Sequence, residues 1–288
     1  MEFQAEYIEL FDRLQIRYYG IIIVVGMLVA AAVAARLAKR AGQDPDHIWG
    51  GLTWAIIPAI IGARLWYILL PPISAVEAGQ TTQWYFENFF NLQNGAVAIW
   101  SGGLHIFGAF VGGFLGALAY IVRNKLSLWF WLDIAGVTLP LGQAIGRWAN
   151  FINQELYGTP TTLPWGIAID RDNRVGQYAS LVDYPAETRF HPLFLYESLW
   201  NFLAFIVLLN LWQRARGKTL RHGDIFLLYI MQYAFIRFLL EFLRVEVALV
   251  GGVNTSQAGC VVAFVIALVI FIARRRAAPD STQTRTTA

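Results

Sequence analysis

G-Q-A-I-G-R-W-A-N-F-I-N-Q-E-L-Y-G, residues 142–158, is the stretch on which the reading of this chain turns. It prolongs an apolar run that starts near Ser127 and reaches Pro140, and it sets Arg147, Asn150, Asn153, Gln154 and Glu155 at the end of that run. Residues three apart on a helix share a face, so Arg147 and Asn150 point the same way. A guanidinium and carboxamides at the end of a hydrophobic span are costly unless they bind something. Two readings stand: a solvated helix end at a membrane interface, or an anion-binding site at membrane depth.

The rest of the composition agrees with a membrane setting. Of 288 residues, 57% are hydrophobic and only 14% charged, where a soluble domain carries about a quarter charged. In lipid the backbone must satisfy itself, which leaves helix bundles or closed barrels. The apolar runs are long and continuous instead of alternating, so helices are expected. The single cysteine, Cys260, excludes an intrachain disulfide and a cysteine-based zinc cluster. Glu2, Glu6, Glu9 and Asp12 precede the first apolar run, unlike a cleavable signal.

Outward from 142–158, the expected class is an all-α membrane protein, one transmembrane domain over 1–288 with about seven spans. These lie near 18–35, 48–70, 96–122, 128–151, 193–212, 225–243 and 257–272. Residues 3–14 place Phe3, Tyr7, Phe11 and Leu14 at helical spacing, which predicts an interfacial helix within 1–17. Residues 152–190, with Pro160, Pro164, Gly176 and Pro185, predict a small extramembrane cap, and 277–288 a disordered tail. Lys and Arg cluster after the first, third, fifth and seventh spans: Arg36, Lys39 and Arg40; Arg123 and Lys125; Arg214, Arg216, Lys218 and Arg221; Arg274, Arg275 and Arg276. The loop 73–94 has neither. The positive-inside rule then puts the N-terminus outside and the C-terminus in the cytoplasm.

That topology sorts the embedded polar groups by depth. Tyr19, Arg64, Tyr67, Gly102, Gly103, His105, Arg147, Asn150, Glu155, His191, Tyr196, Glu197, Tyr233, Arg237 and Glu241 all fall in the outer half. Asp133 falls toward the cytoplasm and reads as structural. Tyr233, Arg237 and Glu241 lie four apart on one face. Several arginines near the outer leaflet suit a phosphate, which guanidinium binds through two parallel hydrogen bonds. A phospholipid head group is the natural phosphate there. The competing reading makes these residues internal Arg–Glu bridges that fasten helices. The chain has no H-E-x-x-H, no G-x-S-x-G, no Walker motif and no lysine in the seventh span, against a zinc protease, a serine hydrolase, a nucleotide hydrolase and a retinal Schiff base.

G-R-W-A-N-F-I-N-Q-E-L-Y-G at 146–158 resembles the signature of the prolipoprotein diacylglyceryl transferases. R-Y-Y-G at 17–20, G-A-R-L-W-Y at 62–67, W-S-G-G at 100–103, H-P-L-F-L-Y-E at 191–197 and R-F-L-L-E-F-L-R at 237–244 match further blocks of that family in order. The resemblance implies a multi-pass protein of the bacterial cytoplasmic (inner) membrane. Such a protein moves diacylglyceryl from phosphatidylglycerol to the lipobox cysteine thiol of a prolipoprotein signal peptide, and glycerol phosphate leaves. Its partners would be those two substrates and the bilayer, with no nucleic acid, metal or organic cofactor. The family's motifs fall on Tyr19, Arg147, Asn150, Glu155, Gly158, Tyr233, Arg237 and Glu241. One position departs. Many members have a histidine where this chain has Phe107, and His105 lies two residues earlier, a turn of about 200° on a helix. A histidine base is therefore not carried over.

The mechanism expected from both lines gathers cations about the leaving phosphate: Arg147 and Arg237, with Arg64 nearby or structural. Asn150 and Tyr19 would bind the head group. Glu155, Glu241, His191 or no dedicated base would take the thiol proton. The alternative is an outward-facing transporter or binding protein for phospholipid or another anionic solute, which inverted repeats would favour; none is visible.

Overall fold

The computed structural model describes residues 2–3, 7–10, 14–216, 219–245, 247 and 249–276. The chain forms two units, Met1–Ala34 with Leu132–Ala288, and Ala35–Trp131.

The first expectation to fail is the interfacial helix. The chain instead starts as three short antiparallel strands, β1 (Glu2–Phe3), β2 (Tyr7–Leu10) and β3 (Leu14–Arg17). Their register pairs Ile8 with Ile16 and Leu10 with Leu14. Y-I-E-L and L-Q-I-R alternate with a period of two, and that alternation outweighs the helical spacing of Phe3, Tyr7, Phe11 and Leu14. Residues 4–6 and 11–13 lie outside the described residues, as does the tail expected over 277–288.

Long helices carry the rest: α1 (Tyr18–Arg40), α2 (Asp46–Leu69), short α3 (Ile73–Glu77) and α4 (Thr82–Glu87), α5 (Ile106–Arg123), α6 (Leu128–Ile152), α7 (Leu193–Ala215), α8 (Asp224–Leu240) and α9 (Thr255–Arg276). Among the described residues six of them, α1, α2, α5, α6, α7 and α9, are long and apolar enough to cross a membrane. Helix α8, expected as a further span, has 17 residues.

In the unit Ala35–Trp131, α5 lies directly on α2. Gly108, Gly112 and Gly116 form one stripe of α5, and a Cβ at any of them would run into the backbone of Gly62, Pro58 or Trp54. Without a hydrophobic drive between helices in lipid, such close backbone approach is what holds them. The third span was expected to start at residue 96, but α5 starts at Ile106. Gly102 and Gly103 have φ of 90° and 66°, outside the helical region, and break the run before it.

In the other unit, α1 meets α6 at Gly26 and Gly142, and α6 meets α8 where Gly136 abuts the Phe226 backbone. Asp133 is structural: its fully buried carboxylate accepts from the Gly223 and Phe226 amides, at 2.7 and 3.1 Å, and so caps α8 from a neighbouring helix. Helix α9 enters through a hairpin, β6 (Leu249–Val250) and β7 (Val253–Asn254), turning on Gly251 and Gly252. It packs on α8 around Leu227, Met231 and Ala267.

Between α6 and α7 the chain builds a small core of its own from Tyr157, Ile169 and Phe190, with a two-stranded pairing of β4 (Ile167–Ala168) and β5 (Arg189–Phe190). Arg174 is buried at its centre and donates to the carbonyls of Ile169, Tyr184, Pro185 and Ala186.

Candidate active site

The signature stretch closes α6 and turns sharply. Gln154 and Leu156 have φ of 50° and 55°, a left-handed conformation that costs a non-glycine residue about 1–3 kcal/mol. Neighbours hold it: the Gln154 side chain donates to Asp170 Oδ2 at 2.7 Å and accepts from the Asp170 amide at 2.6 Å. The turn presents Glu155 back to the helix, where Asn150 Nδ2 donates to its Oε1 at 2.7 Å.

From there a chain of charges runs across three helices. Arg147 on α6 donates to Asn150 Oδ1 at 3.3 Å and to the Tyr233 hydroxyl at 3.4 Å, and its Nη2 lies 2.7 Å from Glu197 Oε1 on α7. The other oxygen of Glu197 lies 3.4 Å from Arg237 Nη1 on α8. Arg237 Nη2 lies 3.2 Å from Glu241 Oε2, and Arg244 Nη1 lies 3.7 Å from the same oxygen. The carboxylates of Glu197 and Glu241 are 3% and 1% exposed, the three guanidiniums about a fifth, so the arginines are the members a ligand can reach. Arg147, Asn150, Leu156, Glu197, Arg237 and Arg244 line a common pocket with Leu193 and Phe194. Three guanidiniums face two buried carboxylates, and the half-buried Glu155 beside Asn150 balances the third. Within this layer Glu241 Oε1 and Arg244 Nε are buried without a hydrogen-bond partner. Guanidinium N–H groups of this kind are strong donors to oxyanions.

Tyr19 opens α1 within electrostatic range of Glu155 and Arg147. His191 and Tyr196 form a separate cluster: His191 Nδ1 is 3.0 Å from the Tyr196 hydroxyl, which also accepts from Trp165 Nε1 at 2.8 Å. Gly158 is a close-approach position. A Cβ there would lie 2.8 Å from His191 Cβ and 2.9 Å from the Leu243 carbonyl oxygen, and Gly158 bridges to Arg244. It joins the signature turn to the end of α8; its amide is already spent on the His191 carbonyl at 2.9 Å.

Arg64, Tyr67, Gly102 and Gly103 form a group within the other unit. Arg64, 5% exposed, donates to the carbonyls of Gly95, Ala96, Gly102 and Gly103. With its fork spent on backbone, Arg64 ties the loop 95–103 to α2, and Tyr67 packs beside Gly103. These four bonds give Arg64 the structural role that the sequence also allowed, and leave one of its five N–H donors over. His105 also turns structural. Its Nδ1 accepts from the Phe107 amide at 3.3 Å and caps α5, and its ring stacks on Trp66 and Phe107. His105→Ala should cost about 1 kcal/mol of stability, as cap removals do, with transfer activity lowered less than tenfold, and His105→Asn should restore the cap. Thermal melts and turnover on the same preparations check both.

Arg244 belongs to this layer and is not singled out by the sequence analysis. The signal was its position three after Glu241 and seven after Arg237, which puts all three on one face.

The sequence model of the prolipoprotein diacylglyceryl transferase family matches residues 6–273. The chain belongs to that family. A phosphatidylglycerol–prolipoprotein diacylglyceryl transferase of Chloroflexus aggregans is 38% identical over 264 residues, covering 89% of this chain and 82% of its own length. One from Limosilactobacillus reuteri is 38% identical over 260 residues, with 90% and 87% covered. One from Synechococcus elongatus is 34% identical over 272 residues, with 93% and 87% covered. For a member of the prolipoprotein diacylglyceryl transferase family, the charge chain from Glu155 to Arg244 is the natural place to look for the chemistry.

Proposed function

We infer that the chain transfers diacylglyceryl from phosphatidylglycerol to the lipobox cysteine thiol of a prolipoprotein, in the bacterial cytoplasmic membrane and toward its outer side. The observation that carries the chemistry is the pair Arg147 and Arg237 held on the two oxygens of one carboxylate, Glu197. That bridge fixes two forks from different helices at a spacing one small oxyanion can span. Each guanidinium has five N–H donors, and the bridge leaves several for a ligand.

The sulfur attacks the glycerol carbon that bears phosphate. The S–C bond forms as the C–O bond breaks, the electron pair leaves on the phosphate oxygen, and the thiol proton ends on released glycerol phosphate. Arg147 and Arg237 stabilise charge as it develops on that oxygen. Tyr19 and Asn150 orient the head group. Glu155 is the best-placed proton acceptor, since among the described residues its side chain is hydrogen-bonded by Asn150 alone whereas Glu241 Oε2 is shared by two arginines. Arg244 completes the electropositive rim.

Purified protein incubated with phosphatidylglycerol and a lipobox peptide should raise the peptide's mass by one diacylglyceryl group. Lipid binding without that gain would favour a transporter. Orientation is tested separately in a Cys260→Ser background: Val182→Cys, 91% exposed, should react with an impermeant thiol reagent in whole spheroplasts, and Arg214→Cys only after lysis. The reverse pattern would place the site on the cytoplasmic side.

A further inference from the structure

One helical turn inward of the charge chain lies a second polar layer that the transfer chemistry leaves unused. Gln143 is four residues before Arg147 on α6, and Asn201 is four residues after Glu197 on α7, each about 6 Å deeper along its helix. Asn201 is fully buried, and neither its Oδ1 nor its Nδ2 has a partner. It sits one turn inward of Ser198, whose hydroxyl donates to the Ala144 carbonyl of α6 at 2.7 Å, so its face is the one turned to the bundle. Tyr229 on α8 is 9% exposed and bonds Gln143 at 3.0 Å, and its ring stacks on Tyr233, which in turn meets Arg147.

An uncharged carboxamide wholly inside a membrane bundle with both atoms unspent is expensive, by about 1–3 kcal/mol for each unsatisfied group. The pair Gln143–Tyr229 also keeps a donor in hand. If Gln143 Nε2 donates to the Tyr229 oxygen, the hydroxyl proton is free; if the amide is turned over, an amide N–H is free. The layer therefore offers two neutral donors, one at Asn201 and one at Gln143–Tyr229. The Asn201 Oδ1 and Gln143 Oε1 acceptors are unspent as well, and the layer has no charge of its own among these residues, so it suits neutral polar groups and not a second phosphate.

The order of groups in an outer-leaflet phospholipid supplies neutral acceptors. Moving inward from the phosphate, the next polar groups are two ester carbonyls, which accept hydrogen bonds and cannot donate. Resting on the transfer reading above, we propose that Asn201 and the Gln143–Tyr229 pair bind the two ester carbonyls of the diacylglyceryl group, one turn below the arginines that hold its phosphate. The site then selects ester-linked over ether-linked lipid and fixes the glycerol carbon in line for attack by sulfur.

The test compares diester phosphatidylglycerol with its dialkyl ether analogue, same head group and chain length, as donors to one lipobox peptide. Wild-type kcat/KM should be about tenfold higher for the diester, the scale of one to two neutral hydrogen bonds. Asn201→Leu and Tyr229→Phe should each narrow that gap severalfold, because each removes a donor that only the ester can use. Equal use of both lipids by the wild type overturns the proposal, as does a gap of undiminished width in both variants. The wild-type comparison stands even if Asn201→Leu folds poorly, and Tyr229→Phe removes one oxygen only. Absence of transfer from the diester would instead overturn the transfer reading itself, and this subsite with it.

Discussion

Arg237→Lys should lower diacylglyceryl transfer about a hundredfold, roughly 3 kcal/mol of transition-state stabilisation, while lipid binding falls much less. Lysine keeps the charge but loses the planar fork. Arg237 uses that fork twice within the protein, on Glu197 at 3.4 Å and on Glu241 at 3.2 Å. A single ammonium cannot span both carboxylates and still face a phosphate. The cost falls on turnover because the fork matters most as charge gathers on the leaving oxygen. A purely fastening role predicts otherwise: the lysine variant would be nearly as active, and the double variant Arg237→Glu with Glu241→Arg would retain transfer. Kinetics, lipid binding and thermal stability measured together separate the two. Wild-type-like transfer by either variant would return Arg237 to helix fastening.

Glu197→Gln should be the most destabilising of the site substitutions, by about 3–5 kcal/mol, the range for removing one partner of a buried ion pair. Glu197 is 3% exposed and, among the described residues, is the one carboxylate engaging both Arg147 and Arg237, so its neutralisation leaves two guanidiniums facing each other. The same variant carries a diagnostic for the phosphate clamp. Phosphatidylglycerol should raise its melting temperature by more than it raises that of the wild type, since the lipid phosphate supplies the missing negative charge. An equal or smaller shift in the variant would mean that the arginines do not converge on lipid phosphate.

The readable parts of this chain were those where chemistry and period coincide. Arg147 and Asn150 three apart, and Tyr233, Arg237 and Glu241 four apart, needed only helical geometry to be placed on common faces, and the structure brings them into one chain of contacts. The fastening reading of the arginines is visible in the structure, where Arg–Glu bridges link α6, α7 and α8. Less readable was anything decided by backbone groups from distant residues. Residues 96–105 are apolar enough to pass for the start of a span; the positive φ at Gly102 and Gly103 breaks it, and Arg64 holds the carbonyls there from thirty or more residues away. The first seventeen residues fit two periods, and only the pairing of Ile8 with Ile16 decides between them. Arg244 escaped because it follows the helix end, where an exposed cation is the default expectation.

The four carbonyls held by Arg64 also bear on how loss-of-function data from this family should be interpreted. Any replacement of that side chain strands the buried Gly95 and Ala96 acceptors and frees those of Gly102 and Gly103, so the loop 95–103 would come away from α2. An alanine scan scored only by turnover would therefore rank Arg64 beside Arg147 and Arg237 as indispensable. Indispensability would then be a statement about scaffolding, and the ranking would hide it. A screen that reports the amount of folded protein alongside product would pull the two kinds of arginine apart.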